Sequence, residues 1–144
     1  MLSKSCSYGL RAAILLAQDD WTSYTPIREL SARLGISFHF LTKILQQLTV
    51  ARILVSHKGP KGGVALARRP DTVTVYDIVL AIDGPDLFNE CILGLPGCGM
   101  EEPCPLHGQW SDERSRIESM MKTESIAALA TEVISRRLRL GDVR

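Results

Sequence analysis

Apolar side chains recur at helical spacing along most of this sequence and alternate only briefly. Near its start, Cys6, Leu10, Ala13, Ile14 and Ala17 fall at i, i+4, i+7, i+8 and i+11, which predicts an amphipathic helix over residues 3–18. Leu15 and Leu16 widen that stripe, so burial on more than one side is expected. Asp19, Asp20 and Ser23 mark a loop. Thr25-Pro26 predicts the next helix start, with Thr as the cap and Pro at the first helical position. Ile27, Leu30 and Leu34 give a short helix that stops at Gly35. Ser37 is the expected cap of a third helix, with Phe40, Leu41, Ile44, Leu45 and Leu48 as its buried stripe.

Two short runs, 53–57 and 64–67, flank Lys58-Gly59-Pro60-Lys61-Gly62-Gly63 and predict two strands joined by a tight turn. Thr74-Val75-Tyr76-Asp77 reads as a capping box opening a helix to about Asp83. Trp110, Ile117, Met120 and Met121 make an apolar stripe on a helix of 110–122, and Thr123 is the expected cap of a last helix carrying Ile126, Leu129, Ala130 and Val133. The predicted fold is mainly α with a small β-wing. A winged helix-turn-helix domain spans 1–83, a cysteine-rich loop 84–107, and a dimerisation helix with a C-terminal helix 108–144. The long helix has little of its own chain to cover it, so a homodimer contact through Trp110, Ile117 and Met121 is expected.

Composition changes this picture little: 45% hydrophobic and 23% charged residues over 144 positions suit a globular chain. No apolar run approaches the roughly 20 residues that span a bilayer, so no membrane partner is expected. The first residues lack the pattern of a signal peptide, and a cytoplasmic location is expected.

Charge adds more. Residues 1–70 hold ten basic against three acidic side chains, a net +7, whereas residues 71–144 hold seven against thirteen, a net −6. A basic helix-turn-helix half points to a polyanion, and the order of elements points to double-stranded DNA. The expected contact set is Ser37, His39, Phe40, Thr42, Lys43 and Gln46 on the second helix of the pair, with Lys58 and Lys61 of the wing meeting phosphates.

Cys91, Cys98, Cys104 and His107 crowd into CILGLPGCGMEEPCPLH, an irregular loop rich in glycine and proline. Thiolate and imidazole are the ligand set of iron–sulfur clusters and of zinc. Structural zinc sites usually pair cysteines two to four residues apart, which gaps of six and five residues fit poorly. In a reducing compartment, metal binding and thiol redox switching both remain open for such a cluster. Cys6, on the apolar face of the first helix, is expected to be a small core residue, and His57 has no partner legible in the sequence. Catalysis finds no support, because the glycines lie in a hairpin rather than before a helix and no carboxylate pair stands out.

The order SCSYGLRAAILLA, IRELSARLGISFHFLTKILQQL, SHKGPKGGVALAR and a cysteine loop ending in CPLH resembles the Rrf family of bacterial transcription regulators, over about residues 1–135. The resemblance implies a dimeric winged-helix regulator in which three loop cysteines hold an iron–sulfur cluster. In IscR-like members a histidine three residues after the last cysteine completes the site, the offset at which His107 stands. Cluster-binding members usually space their cysteines by five and five, and this loop has one residue more. IscR-like members carry a glutamate where Thr42 stands, so their operator sequence does not transfer. NsrR-like members use an acidic ligand where Ser7 stands. The resemblance therefore favours a 2Fe–2S cluster on Cys91, Cys98, Cys104 and His107, with 4Fe–4S possible.

Overall fold

The structure, a computed structural model, describes residues 1–142. Helix α1 (Lys4–Leu16) starts at Ser3, whose hydroxyl accepts the Cys6 N–H, and buries Cys6, Ala12, Ala13, Leu15 and Leu16. This is the two-sided burial expected of its wide stripe. Helices α2 (Ile27–Leu34) and α3 (Phe38–Val50) are joined by Gly35 in the left-handed conformation. Leu30, Leu34, Leu41, Ile44, Leu45 and Leu48 are each at most 1% exposed and lock the pair against α1. Burying such side chains contributes roughly 1.5–3 kcal/mol each before entropy is counted.

Strands β1 (Leu54–His57) and β2 (Gly63–Leu66) pair antiparallel, Leu54 opposite Leu66 and His57 opposite Gly63. The wing is anchored from its other side. Thr25 exchanges both backbone hydrogen bonds with Val64, each at 2.9 Å. Gly63 is needed for that approach, because a Cβ there would lie 2.1 Å from the Thr25 carbonyl oxygen. Thr25 is therefore a strand-like anchor rather than a helix cap. The N-cap position belongs to Pro26, and no side chain caps α2.

After a 3-10 turn (Pro70–Thr72), Thr74 and Asp77 close the expected capping box of α4 (Val75–Asp83). The short helix α5 (Asp86–Asn89) was not legible, and its Phe88 is buried. Helix α6 (His107–Thr123) begins three residues earlier than expected. Helix α7 (Ile126–Arg136) is capped by Ser125, which accepts the Ala128 N–H at 3.1 Å; Thr123 instead ends α6 and bonds back to Ser119.

Two observations bear on the C-terminal helices. Ile126 and Ala130 of α7 lie in the same core as α1–α3, and backbone bonds join Ile126 to Val73 and Val75 to Glu124. The C-terminal segment is therefore not a separate body. Met121 of α6 is 6% exposed, packed with Cys6, Val79 and Phe88, with Ile117 beside them. Met121 is thus packed within the chain's own core, whereas Trp110 and Ile117 are half-buried. Among the described residues no helix is long and apolar enough to cross a membrane.

Candidate metal centre and nucleic-acid interface

The loop between α5 and α6 turns at Gly94 and Gly97, both left-handed, with φ of 69° and 71°. Those turns bring three sulfurs together. The Sγ atoms of Cys91, Cys98 and Cys104 all lie within 4.8 Å of one another, and Cys91 and Cys104 are 3.5 Å apart. Two thiolates on one tetrahedral metal at about 2.3 Å would stand about 3.8 Å apart, so the spacing suits a shared metal. His107, the first residue of α6, places Nδ1 3.5 Å from Cys98 Sγ. It lies outside the set in which every ligand atom is within 4.8 Å of every other, so it approaches from the Cys98 side only. Soft sulfur donors with one imidazole fit an iron–sulfur cluster or zinc.

The thiols differ electrostatically. The amide N–H of Leu95 brings the Cys91 thiol down to about 7, with a further N–H from Leu93 and the neighbouring thiols, against some desolvation. Cys98 feels the Cys104 amide N–H at 3.3 Å, which lowers it, yet desolvation and the thiols of Cys104 and Cys91 raise it on balance. Cys6, remote and fully buried, is pushed up to about 12 by desolvation, with Asp83 adding to the shift. It is the core residue expected of it.

Two side chains of α6 reach back to this loop. The Trp110 indole N–H and the Arg114 guanidinium both donate to the carbonyl oxygen of Glu90, at 2.9 and 2.8 Å. Glu90 immediately precedes Cys91, so α6 holds the peptide that presents the first thiol. The sequence signals Trp110 only as part of an apolar stripe, and nothing in it signals Arg114. Acceptance by a backbone carbonyl leaves no pattern in side chains.

On the recognition side, α3 presents Ser37, His39, Lys43 and Gln46 to solvent, and Lys58 and Lys61 are exposed in the wing turn. Ser37 also caps α3 through Phe40 N–H. Thr42 is half-buried, and its hydroxyl donates to the Phe38 carbonyl at 2.7 Å, so that hydroxyl is already engaged within the helix. Phe40 is turned toward α1, edge-on to Tyr8 at 5.7 Å, and belongs to the core margin more than to the outer face. Arg28, which the periodicity did not single out, lies over the Phe38 ring at 4.5 Å and adds an exposed cation at the foot of α3. His57 does have a partner, the Tyr24 ring at 5.3 Å.

Comparison with known proteins decides the family. The profile of Rrf2, described as an iron-dependent transcriptional regulator, matches residues 2–132. The chain belongs to the Rrf2 family. It is 29% identical over 131 residues to the HTH-type transcriptional regulator IscR of Aliivibrio salmonicida, covering 91% of this chain and 77% of that one. An HTH-type regulator of Aquifex aeolicus is 32% identical over 92 residues, 62% of this chain and 64% of the relative. Among solved structures, CymR, the global cysteine regulator of B. subtilis, superposes with a TM-score of 0.78 at 24% identity, covering 91% of this chain and 96% of that one. T. potens IscR gives 0.77 at 22% identity, covering 96% and 92%. These likenesses show the winged-helix fold. The chain is thus a transcriptional regulator of the Rrf2 family, close to IscR, and its relatives are regulators rather than enzymes.

Proposed function

We propose that this Rrf2-family regulator binds a double-stranded DNA operator as a homodimer, with an affinity set by an iron–sulfur cluster on Cys91, Cys98, Cys104 and His107. The observation that carries the reading is the convergence of three thiols within 4.8 Å, with an imidazole 3.5 Å from Cys98, in a loop fastened to α6. A 2Fe–2S cluster, with histidine as the fourth ligand, matches this donor set better than 4Fe–4S. Such a cluster supplies a centre whose presence or redox state changes with iron–sulfur status, oxidants or nitric oxide.

The chain's own residues do the rest. Cys91 presents its sulfur from a peptide held by Trp110 and Arg114, and His107 presents its ring from the first position of α6. Helix α6 packs on α4, and α4 packs on both α1 and the recognition helix α3. A group ordering the loop therefore bears on one continuous body. It can bias DNA binding only by its differential affinity for two arrangements, commonly about 1–3 kcal/mol. His39, Thr42, Lys43 and Gln46 approach base edges, while Lys58 and Lys61, joined by Arg28, meet phosphates.

The test is anaerobic purification followed by metal and sulfide analysis and gel shift on genomic fragments. A coloured protein with equal iron and sulfide, and operator binding that differs between holo-protein and Cys→Ala variants, supports the reading. Colourless protein with stoichiometric zinc overturns the cluster. Cysteine variants that bind every operator as the holo-protein does overturn the switch.

A further inference from the structure

We propose that, when the metal is absent, Cys91 and Cys104 form an intramolecular disulfide on exposure to a hydroperoxide, and that this oxidised loop is a second regulatory state exclusive of the metal-loaded one. The proposal deepens the reading of the same loop, but it requires only the two thiols and holds whichever metal the site takes.

The pairing follows from position. Three thiols can form three different disulfides, and the sulfurs of Cys91 and Cys104 stand 3.5 Å apart. A disulfide bond is about 2.05 Å long, so the two atoms must close by about 1.5 Å. The intervening chain can supply that movement. Among the described residues its backbone-to-backbone bonds are short turns, Gly94 N–H to Cys91 and Cys98 N–H to Leu95. Cys98 is otherwise engaged, because its sulfur accepts the Cys104 amide at 3.3 Å and faces the His107 ring.

Access divides the roles of the pair. Cys91 is half exposed and lines an open depression of about 630 Å³ with Ser3, Asp83 and Trp110, a route for a small peroxide. Cys104 is 8% exposed and cannot meet an oxidant as readily, which makes it the resolving thiol. Cys91 sulfur attacks the peroxide, the O–O bond breaks, and Cys91–SOH forms with release of an alcohol, or of water from hydrogen peroxide. Cys104 sulfur then attacks that sulfenic sulfur, the S–O bond breaks, and the hydroxyl leaves as water with the Cys104 proton. Two thiols lose two electrons and the peroxide gains them. The fourth cysteine, Cys6, is fully buried and takes no part.

Metal and disulfide compete for the same two sulfurs. A loaded centre protects the pair, and an oxidised pair cannot reload until a thiol reductant opens it. The loop would then have a metal-loaded, an open reduced and a crosslinked state, all reported to α6 through the Glu90 carbonyl.

The experiment treats metal-free full-length protein with one equivalent of hydrogen peroxide, counts thiols after denaturation and maps the bond. Trypsin is unsuitable, because no Lys or Arg lies between Arg69 and Arg114 and all three loop cysteines share a peptide. Cleavage after glutamate separates Cys91 and Cys98 from Cys104 at Glu101, since the Glu102–Pro103 bond resists it. The expected result is a fall from four thiols to two, with the 91–101 and 102–113 fragments linked in wild type and in C98S but not in C91S or C104S. Linkage through Cys98 in wild type, chain-to-chain crosslinks, or four thiols remaining would overturn the proposal. Iron and sulfide content of the untreated protein is read in parallel. Absent iron with a formed disulfide removes the cluster and leaves this inference standing. Intact iron loading with an unreactive apo-loop does the reverse.

Discussion

The clamp on Glu90 provides a quantitative test of how α6 supports the thiol loop. Trp110→Phe keeps the aromatic ring and removes only the indole N–H that lies 2.9 Å from the Glu90 carbonyl. Arg114→Met keeps the aliphatic stem and removes the guanidinium donor at 2.8 Å. A neutral hydrogen bond contributes about 0.5–1.5 kcal/mol net and a charged donor about 1.5–3. Both side chains are half exposed, so the low end of each range applies.

One carbonyl oxygen accepts both bonds and has two lone pairs, so losing the indole leaves the peptide still held by Arg114. Trp110→Phe should therefore weaken metal binding by only about twofold, from about 0.5 kcal/mol. The double variant leaves the carbonyl to water and should lose about 2 kcal/mol, roughly 30-fold. That lies within the about 10–100-fold cost usual for groups that orient metal ligands. The assay is a competition titration of apo-protein with Zn2+, which takes the same thiolate and imidazole donors, against a chromophoric chelator. Thermal melting of the apo-protein is the control, since neither side chain belongs to the core that joins α1, α2, α3 and α7. A double variant that binds Zn2+ within twofold of wild type would refute the clamp, as would a loss matched by an equal fall in apo-protein stability.

Three further outcomes follow from the geometry. Lys61→Ala should weaken binding to all DNA sequences and lower the salt slope by about 1, while Thr42→Ala should instead change sequence preference; equal loss on every sequence for both variants would contradict this division. Burial raises the Cys6 thiol to about 12, so its contribution to stability is fully present below its unfolded value near 9 and is lost as pH rises toward 12; denaturant melts should show Cys6→Ala losing less stability than wild type across that window, and parallel curves would contradict it. Met121→Ala, in the core at 6% exposure, should cost the protomer about 2–5 kcal/mol, whereas Met120→Glu, at 52% exposure, should spare folding and weaken the proposed dimer; sedimentation and denaturant melts separate the two, and the opposite pattern would place the dimer contact elsewhere.

Elements with strong periodicity or a self-contained signal were legible before the structure. The helix-turn-helix, the wing and the Thr74–Asp77 box are of this kind, because each depends on residues close in sequence. What depended on partners far along the chain was not. Thr25 looks like a cap beside Pro26, yet Val64, distant in sequence, claims its backbone. Thr123 has the residue type of a cap, yet it ends α6, and Ser125 caps α7 instead. The Met120–Met121 pair shows the same limit: adjacent methionines read as one stripe, but successive helix positions point about 100° apart, so one is buried and the other is not. In the loop, the residue types named the donors, and the structure showed that the three sulfurs form a mutual set while His107 stands to one side of it.

Helix α6 is where these observations meet. Its first residue faces the thiol loop, its first two turns grip the Glu90 carbonyl, and its inner face is packed with Cys6 of α1, Val79 of α4 and Phe88 of α5. Leu10 of α1 and Ile82 of α4 touch both this small cluster and the main core that holds the recognition helix. The loop and the proposed DNA-reading face of α3 therefore share walls and need no hinge between them. A tenfold change in operator affinity requires about 1.4 kcal/mol, the scale of one or two hydrogen bonds such as those on Glu90. The proposal requires that loading, emptying or crosslinking the centre change the restraint on that carbonyl by a comparable amount. A small change in how the loop is held is thus sufficient, in energy, for the regulation proposed.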